Sequence, residues 1–130
     1  MELTELIECC KKIKLMYVED NTSARIFTLE MLERFFDDIS VAVDGEEALE
    51  LFQKDKFDLI ITDINMPKKD GITLIKDINK ITSDINFIVL SAHNESGYFD
   101  EVDKLGVRGY INKPMPLKDF IDIMTKICYS

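Results

Sequence analysis

The sequence has few basic residues, few cysteines, one histidine and no long apolar segment. Lys and Arg together number 16 against 25 Asp and Glu, which gives a formal net charge of −9. This balance argues against a protein that binds nucleic acid through a basic stripe. No apolar run approaches the length of a membrane span, and the first residues lack the pattern of a secretory signal. We therefore expect a cytoplasmic protein without membrane contact. Its 130 residues are enough for a single hydrophobic core, so we expect one domain.

The three cysteines and the histidine do not form a metal-binding pattern. Cys9 and Cys10 are adjacent, and neighbouring Cα atoms lie about 3.8 Å apart, closer than disulfide geometry favours. Cys128 stands near the end of an apolar helical pattern. We expect all three to be reduced thiols in a cytoplasmic protein. His93 is isolated, which predicts a loop residue rather than a metal ligand.

Apolar runs typical of strands alternate with apolar residues at helical spacing along the chain. The predicted strands cover residues 15–18, 39–43, 57–63, 87–90 and 107–111, and a helix follows each of them. Asp44 is expected to cap the second of these helices, with Glu47 completing a capping box. Five strands alternating with five helices predict a parallel sheet covered on both faces. The second strand alternates apolar and polar residues, which favours an edge position.

Residues 1–13 stand outside this alternation. Leu3, Leu6, Ile7, Cys10 and Ile13 have helical spacing, which predicts a docked or partly frayed helical extension. Residues 14–130 would then form the main domain, in which no internal repeat or interdomain linker is visible.

Polar residues interrupt the apolar runs where the predicted strands end. Glu19 and Asp20 close the first strand, Asp63 the third and Ser91 the fourth, and Lys113 follows the fifth. In an open α/β sheet, ligands bind at this carboxyl edge, where the strand order reverses. Converging carboxylates repel one another unless a cation intervenes, and hard oxygen ligands suit Mg²⁺. With a cationic lysine and a hydroxyl beside them, the set predicts phosphoryl transfer onto an aspartate.

Four motifs at these strand ends, YVED, IITDINMPKKDG, LSA and GYINKP, together resemble the receiver domain of two-component response regulators. The resemblance covers the chain from about Lys14 to its end. It implies a flavodoxin-like three-layer sandwich with strand order 2-1-3-4-5. It also implies a signalling module rather than an enzyme, which accepts a phosphoryl group in a Mg²⁺-dependent reaction and later loses it by hydrolysis.

Site residues follow from the resemblance position by position. Asp63 matches the phosphorylated aspartate, and Lys113 the lysine that pairs with the phosphoryl group. Glu19 and Asp20 match the acidic pair that holds Mg²⁺ with Asp63, and the backbone carbonyl of Asn65 matches the remaining protein ligand.

The resemblance also assigns a switch and a lifetime control. Ser91 and Tyr110 match the hydroxyl and aromatic residues that respond to phosphorylation, and the Lys113–Pro114 peptide bond matches one that is usually cis. Asn65 and His93 are expected at the mouth of the site. Their positions resemble the variable ones that tune the autodephosphorylation rate in the family.

Partners are also implied by the resemblance. The phosphoryl group would come from a sensor histidine kinase, a phosphotransfer protein or a small phosphodonor. A downstream protein would bind the surface of the fourth predicted helix, the fifth strand and the fifth predicted helix. Tyr98, Phe99, Val102 and Leu105 are candidate apolar contributors to that surface, although some of them must pack inward. The chain is compatible with a stand-alone regulator or a receiver cut from a larger protein.

Two other classes share parts of this pattern. An aspartyl-phosphate phosphatase would also use Asp and Mg²⁺, but its nucleophile normally follows the first strand with a second acidic residue two positions later, and Asp20-Asn21-Thr22 does not supply it. A flavodoxin-like electron carrier would need a phosphate-binding loop after the first strand, typically rich in Ser, Thr and Gly. The segment EDNTSAR contains no Gly.

Overall fold

The computed structural model describes residues 2–92 and 96–129. Within them, the strands are β1 (Lys14–Val18), β2 (Asp38–Ala42), β3 (Leu59–Asp63), β4 (Asn86–Ser91) and β5 (Gly109–Asn112). The helices are α1 (Leu3–Lys11), α2 (Thr22–Leu32), α3 (Gly45–Lys54), α4 (Gly71–Ile81), α5 (Phe99–Asp103) and α6 (Leu117–Tyr129), and a 3₁₀ turn (Ser96–Tyr98) precedes α5.

Three helices begin at a polar cap close to the carboxyl end of the preceding strand. The capping side chains accept hydrogen bonds from backbone N–H groups three residues further on, in the pairs Asn21–Ala24, Asp44–Glu47 and Asp70–Thr73. Of the capping box predicted for α3, the bond to the Asp44 side chain is present, whereas Glu47 Oε1 accepts from the backbone N–H of Val43, the residue before the cap, at 3.3 Å. These caps satisfy N–H groups that lack partners within the helix.

The five strands form one parallel sheet of order β2-β1-β3-β4-β5, so the predicted architecture is confirmed and β2 is an edge strand. Side chains from opposite faces of the sheet contribute to two apolar clusters. One is shared with α1, α2 and α6 and includes Leu6, Leu32 and Phe120. The other is shared with α3, α4 and α5 and includes Ala48 and Ile75. The order reverses between β1 and β3, so their carboxyl ends border the crevice.

The N-terminal segment is a docked helix with a covalent link, and here one prediction is wrong. Leu6 and Cys10 of α1 are fully buried, and Cys9 forms a disulfide with Cys128 in α6. Cys10 is free and buried, so only this residue keeps the predicted reduced state. The adjacent pair could not bond easily, but packing of α1 beside α6 brings together two cysteines that are 119 positions apart in the sequence.

Two further differences from the expected elements concern the C-terminal half. The predicted fourth helix, expected at about residues 95–105, is reduced to the 3₁₀ turn and the five-residue α5, and its first expected residue lies outside the described part of the chain. The fifth strand begins at Gly109 rather than at Val107. Across residues 2–92 and 96–129, each helix is too short or too polar to cross a membrane.

Candidate functional site

Three carboxylates meet at the crevice between β1 and β3. Glu19 follows β1 and is fully buried, Asp20 is exposed, and Asp63 ends β3 and is 5% exposed. One oxygen from each of the three lies within 4.8 Å of the others. The predicted acidic cluster is therefore assembled by the fold.

Lys113 connects two of these carboxylates. Its Nζ lies 2.6 Å from Oε1 of Glu19 and 2.8 Å from Oδ2 of Asp63. The backbone of Lys113 is fixed by a hydrogen bond from its N–H to the carbonyl of Ser91, at 2.7 Å. The Lys113–Pro114 peptide bond is cis, as expected. The lysine thus reaches the site from the position directly after β5, and it lies 50 residues from Asp63 in the sequence.

Burial dominates the electrostatics of this cluster. It raises the pKa of Glu19 to about 7, although the lysine pulls that value down. Burial also raises the pKa of Asp63 against the opposing effect of Lys113. For Lys113 itself, burial acts to lower the pKa, but the contacts with both carboxylates outweigh it and the pKa is raised. Lys113 contacts two of the three neighbouring carboxylates, so with all three ionised the pocket carries an excess of negative charge.

The loop between β1 and α2 is held from the first turns of α2. Arg25 donates from Nη1 to the carbonyl oxygens of Glu19 and Asp20, at 2.9 and 3.4 Å. The backbone N–H of Asn21 donates to Oε2 of Glu19 at 3.2 Å. Sequence reasoning missed Arg25. The sequence signal for this role was its position, which is six residues after Glu19 and beyond the helix cap at Asn21.

The loop after β3 is confined by two glycines. The N–H of Gly71 donates to the carbonyl of Ile64 at 2.8 Å, and the N–H of Gly45 donates to the carbonyl of Lys69 at 3.1 Å. A Cβ at Gly71 would collide with the Asp63 carbonyl oxygen, and one at Gly45 with the Lys69 carbonyl oxygen. The close approach of α3 and of β3 to this loop therefore requires glycine at both positions.

Asp63 and the exposed Asn65 lie at the start of this loop. The N–H of Ile64 donates to Oδ1 of Asp63 at 2.8 Å, so one carboxylate oxygen is held by the backbone and the other by Lys113. Asn65 is exposed, two residues beyond Asp63. His93, the other residue expected at the mouth, lies outside the described residues.

Ser91 and Tyr110 are linked directly. Ser91 is fully buried, and its Oγ donates to the carbonyl of Ala92 at 3.0 Å and accepts from the Tyr110 hydroxyl at 3.0 Å. The Tyr110 ring packs edge-on against Phe99, with 5.5 Å between ring centroids. A change at Ser91 therefore has a direct route to an aromatic ring next to α5.

The apolar surface expected around α5 is only partly present. Tyr98 and Phe99 are 36% and 52% exposed, and Leu105 is half-buried. Val102 is fully buried, so it is a candidate that packs inward and does not contribute to a binding surface. With α5 so short, Val102 faces the core shared with α3 and α4.

The fold and site together define a doubly wound α/β protein with an acidic pocket and a lysine at its switch point. The family model of the response regulator receiver domain matches residues 15–125. The chain belongs to this family, whose members are signalling modules of two-component systems. The family match does not favour an aspartyl-phosphate phosphatase or a flavodoxin-like electron carrier.

Individual relatives agree with this assignment. The chain is 33% identical over 113 residues to the transcriptional regulatory protein DegU of Brevibacillus brevis, covering 85% of this chain but 48% of that protein. It therefore spans about half the length of that relative. It is 30% identical over 111 residues to a probable chemotaxis protein CheY of Rhizobium etli, covering 83% of this chain and 86% of that one. The response regulator TrrA of Thermotoga maritima, solved in complex with Mg²⁺ and BeF, is 26% identical with a TM-score of 0.75, covering 88% and 98% of the two chains.

Proposed function

We propose that Asp63 of this receiver domain accepts a phosphoryl group from a histidine kinase, a phosphotransfer protein or a small phosphodonor such as acetyl phosphate. The observation that carries the proposal is the pairing of the buried Asp63 carboxylate with Lys113 at 2.8 Å, beside two further carboxylates. A carboxylate oxygen of Asp63 forms a bond to phosphorus as the bond from phosphorus to the donor breaks. The leaving group departs with the bonding electrons.

The donor set fits Mg²⁺. Three carboxylates with one lysine leave net negative charge in a small oxygen-lined pocket, and Mg²⁺ prefers a few carboxylates with water completing its shell. Glu19, Asp20, Asp63 and the backbone carbonyl of Asn65 would hold the ion. When bound, Mg²⁺ supplies charge neutralisation for the transferring phosphoryl oxygens.

Lys113 has two successive tasks in this proposal. Before transfer, it holds Oδ2 of Asp63 and reduces repulsion between Asp63 and Glu19. After transfer, its ammonium group pairs with the new phosphoryl oxygens, which carry more negative charge than the carboxylate did. Positioning and electrostatics, rather than proton transfer, do most of the work.

The response passes through Ser91 and Tyr110. The Ser91 hydroxyl donates to a backbone carbonyl and accepts from Tyr110, and a phosphoryl oxygen on Asp63 would compete for its proton. Moving Ser91 toward Asp63 breaks or strains its bond with Tyr110, and the ring then shifts against Phe99. The surface of α5, β5 and α6 would change in this way for a downstream protein.

The lifetime of the phosphorylated state is assigned to Asn65 and His93. Hydrolysis needs a water in line with the bond between phosphorus and the Asp63 oxygen, and side chains at the mouth decide whether that water fits. Replacing Asn65 or His93 by Ala should change the decay rate while phosphoryl acceptance survives. Equal decay rates for wild type and both variants would remove this role.

The proposal also keeps the expected division of the chain, with residues 1–13 as an extension and 14–130 as the receiver domain of a cytoplasmic regulator. Residues 15–125 match the family model, which supports a boundary near residue 14. Helix α1 would then be an addition to the receiver.

The decisive experiment is intact-mass spectrometry after incubation with Mg²⁺ and acetyl phosphate. Wild-type protein should gain one phosphoryl group, and Asp63→Asn should gain none while keeping its circular dichroism spectrum. Asp84→Asn is the matched control, because Asp84 is an exposed carboxylate and should leave labelling unchanged. Labelling of Asp63→Asn at the wild-type level would refute the assignment of the acceptor.

A further inference from the structure

The disulfide between Cys9 and Cys128 involves none of the residues of the phosphoacceptor site. Cys9 lies in the last turn of α1 and Cys128 in the last turn of α6. Both residues fall outside positions 15–125, which match the family model. The bond therefore lies beyond the matched positions, and it joins α1 to the last helix of the domain.

Helix α1 is also held without the bond. Leu6 and Cys10 are fully buried and belong to the same apolar cluster as Leu32, Phe35 and Phe120. Burial of these side chains stabilises the docked helix, because it removes apolar surface from water. Reduction would therefore leave α1 docked for most of the time, with the two thiols still close enough to bond again.

The three cysteines differ in access. Cys9 and Cys128 are each partly exposed, so a partner can approach this part of the surface. Cys10 is fully buried, and burial raises the pKa of its thiol to about 11. Because the thiolate is the reactive form, Cys10 does not compete for either partner.

We propose that Cys9 and Cys128 form a reversible redox site whose reactant is a protein dithiol, and that the state of this site sets how firmly α1 is held on α6. A thiolate of the dithiol attacks one sulfur of the disulfide, forms a mixed disulfide and releases the other cysteine as a thiolate. The second thiol of the reactant, as its thiolate, then displaces the remaining cysteine. Two electrons pass to Cys9 and Cys128, each takes up one proton, and the reactant leaves as a disulfide.

The position of both cysteines favours a dithiol over a monothiol. After attack by a monothiol, the released cysteine stays beside the mixed disulfide because α1 remains packed in the apolar cluster that it shares with α6, and it displaces the monothiol again. A dithiol traps the mixed disulfide because its second thiol completes the reduction.

The test measures bonding and docking separately in the full chain. After mild oxidation, alkylation under denaturing conditions should label only Cys10. Dithiothreitol should expose all three cysteines, whereas glutathione at equal thiol concentration should leave most of the bond intact. Labelling of three cysteines after oxidation, or equal reduction by both reagents, would overturn the proposal.

Docking is followed by hydrogen exchange of the α1 amides in oxidised and reduced protein. Exchange should be faster by about tenfold or more after reduction, because local opening of α1 loses its covalent restraint. The matched control is the double variant Cys9→Ser with Cys128→Ser, in which exchange should be fast under both conditions. Equal exchange in oxidised and reduced wild type would refute a role in holding α1. Neither measurement depends on phosphorylation, so failure here is distinct from failure of Asp63 as the acceptor.

Discussion

Replacing Lys113 by Met tests how much the positive charge of this lysine stabilises the acidic pocket. Lys113 Nζ contacts Glu19 at 2.6 Å and Asp63 at 2.8 Å, and the two carboxylate side chains are 1% and 7% exposed. Removing one partner of a buried ion pair typically costs about 3 to 5 kcal/mol. The lysine side chain is 24% exposed, so water moderates the interaction. We therefore expect a loss of about 3 kcal/mol in the free energy of unfolding near pH 8, without Mg²⁺.

The loss should depend on pH in a defined direction. The pKa of Glu19 is raised from 4.5 to about 7 in the folded protein, so the folded state binds protons more tightly than the unfolded state. Stability of the metal-free protein should therefore fall as the pH rises from about 4.5 to 7. Without Lys113 the carboxylate pKa values rise further. Relative to wild type, Lys113→Met should therefore lose little free energy of unfolding near pH 5, where protons on the carboxylates replace the missing cation.

The assay is urea unfolding followed by circular dichroism at about pH 5 and about pH 8, on either side of the raised Glu19 pKa. Lys118→Met is the matched control, because Lys118 is an exposed lysine in α6. It should leave stability unchanged at both values. An equal deficit for Lys113→Met at the two pH values would show that lost packing, not charge, explains the effect. No deficit beyond that of the control would refute the reasoning entirely.

Three more substitutions test other supports of the fold and site. Arg25→Ala should weaken Mg²⁺ binding about tenfold in calorimetric titration. The variant loses the hydrogen bonds that hold the Glu19 and Asp20 carbonyls, and a loss of about 1.4 kcal/mol corresponds to a tenfold change in affinity. Arg34→Ala, at an exposed arginine, should not change it, and equal affinities for both variants would contradict the role of Arg25. Gly45→Ala should lower the free energy of unfolding by about 1 to 3 kcal/mol through collision with the loop after β3, whereas Gly97→Ala has open space around it. A Gly45→Ala variant as stable as wild type would show that the loop shifts freely. Phe120→Ala should cost about 3 to 5 kcal/mol in urea unfolding, because Phe120 is fully buried; a loss below about 1 kcal/mol would mean that the core collapses around the gap.

Local patterns determined the elements and the residues at their ends. Strand β3 is apolar from Leu59 to Ile61, and all five of its residues are buried between two helical layers, so such a strand is recognisable without any partner. Asp44 with Glu47 predicted the start of α3 for the same reason, since a capping box involves only neighbouring residues. The short α5 was predicted less well, because only one of its five residues is buried.

The convergence of the strand ends also followed from the sequence. In a parallel sheet all carboxyl ends lie at one edge, so polar residues ending successive strands are brought together whatever their separation in the chain. For this reason the sequence alone is enough to group Glu19, Asp20, Asp63, Ser91 and Lys113.

Pairings between particular atoms were decided only by the tertiary structure. The bridge made by Lys113 between two carboxylates, the hold of Arg25 on two carbonyls and the hydrogen bond from Tyr110 to Ser91 depend on exact strand register and rotamers, which no local pattern contains. The bond between Cys9 and Cys128 is the clearest case. Each cysteine lies in a helix that local apolar spacing predicts, but contact between the two cysteines requires α1 to dock beside α6. That docking arises from apolar burial shared across the whole domain, and it is not encoded in the residues next to either cysteine.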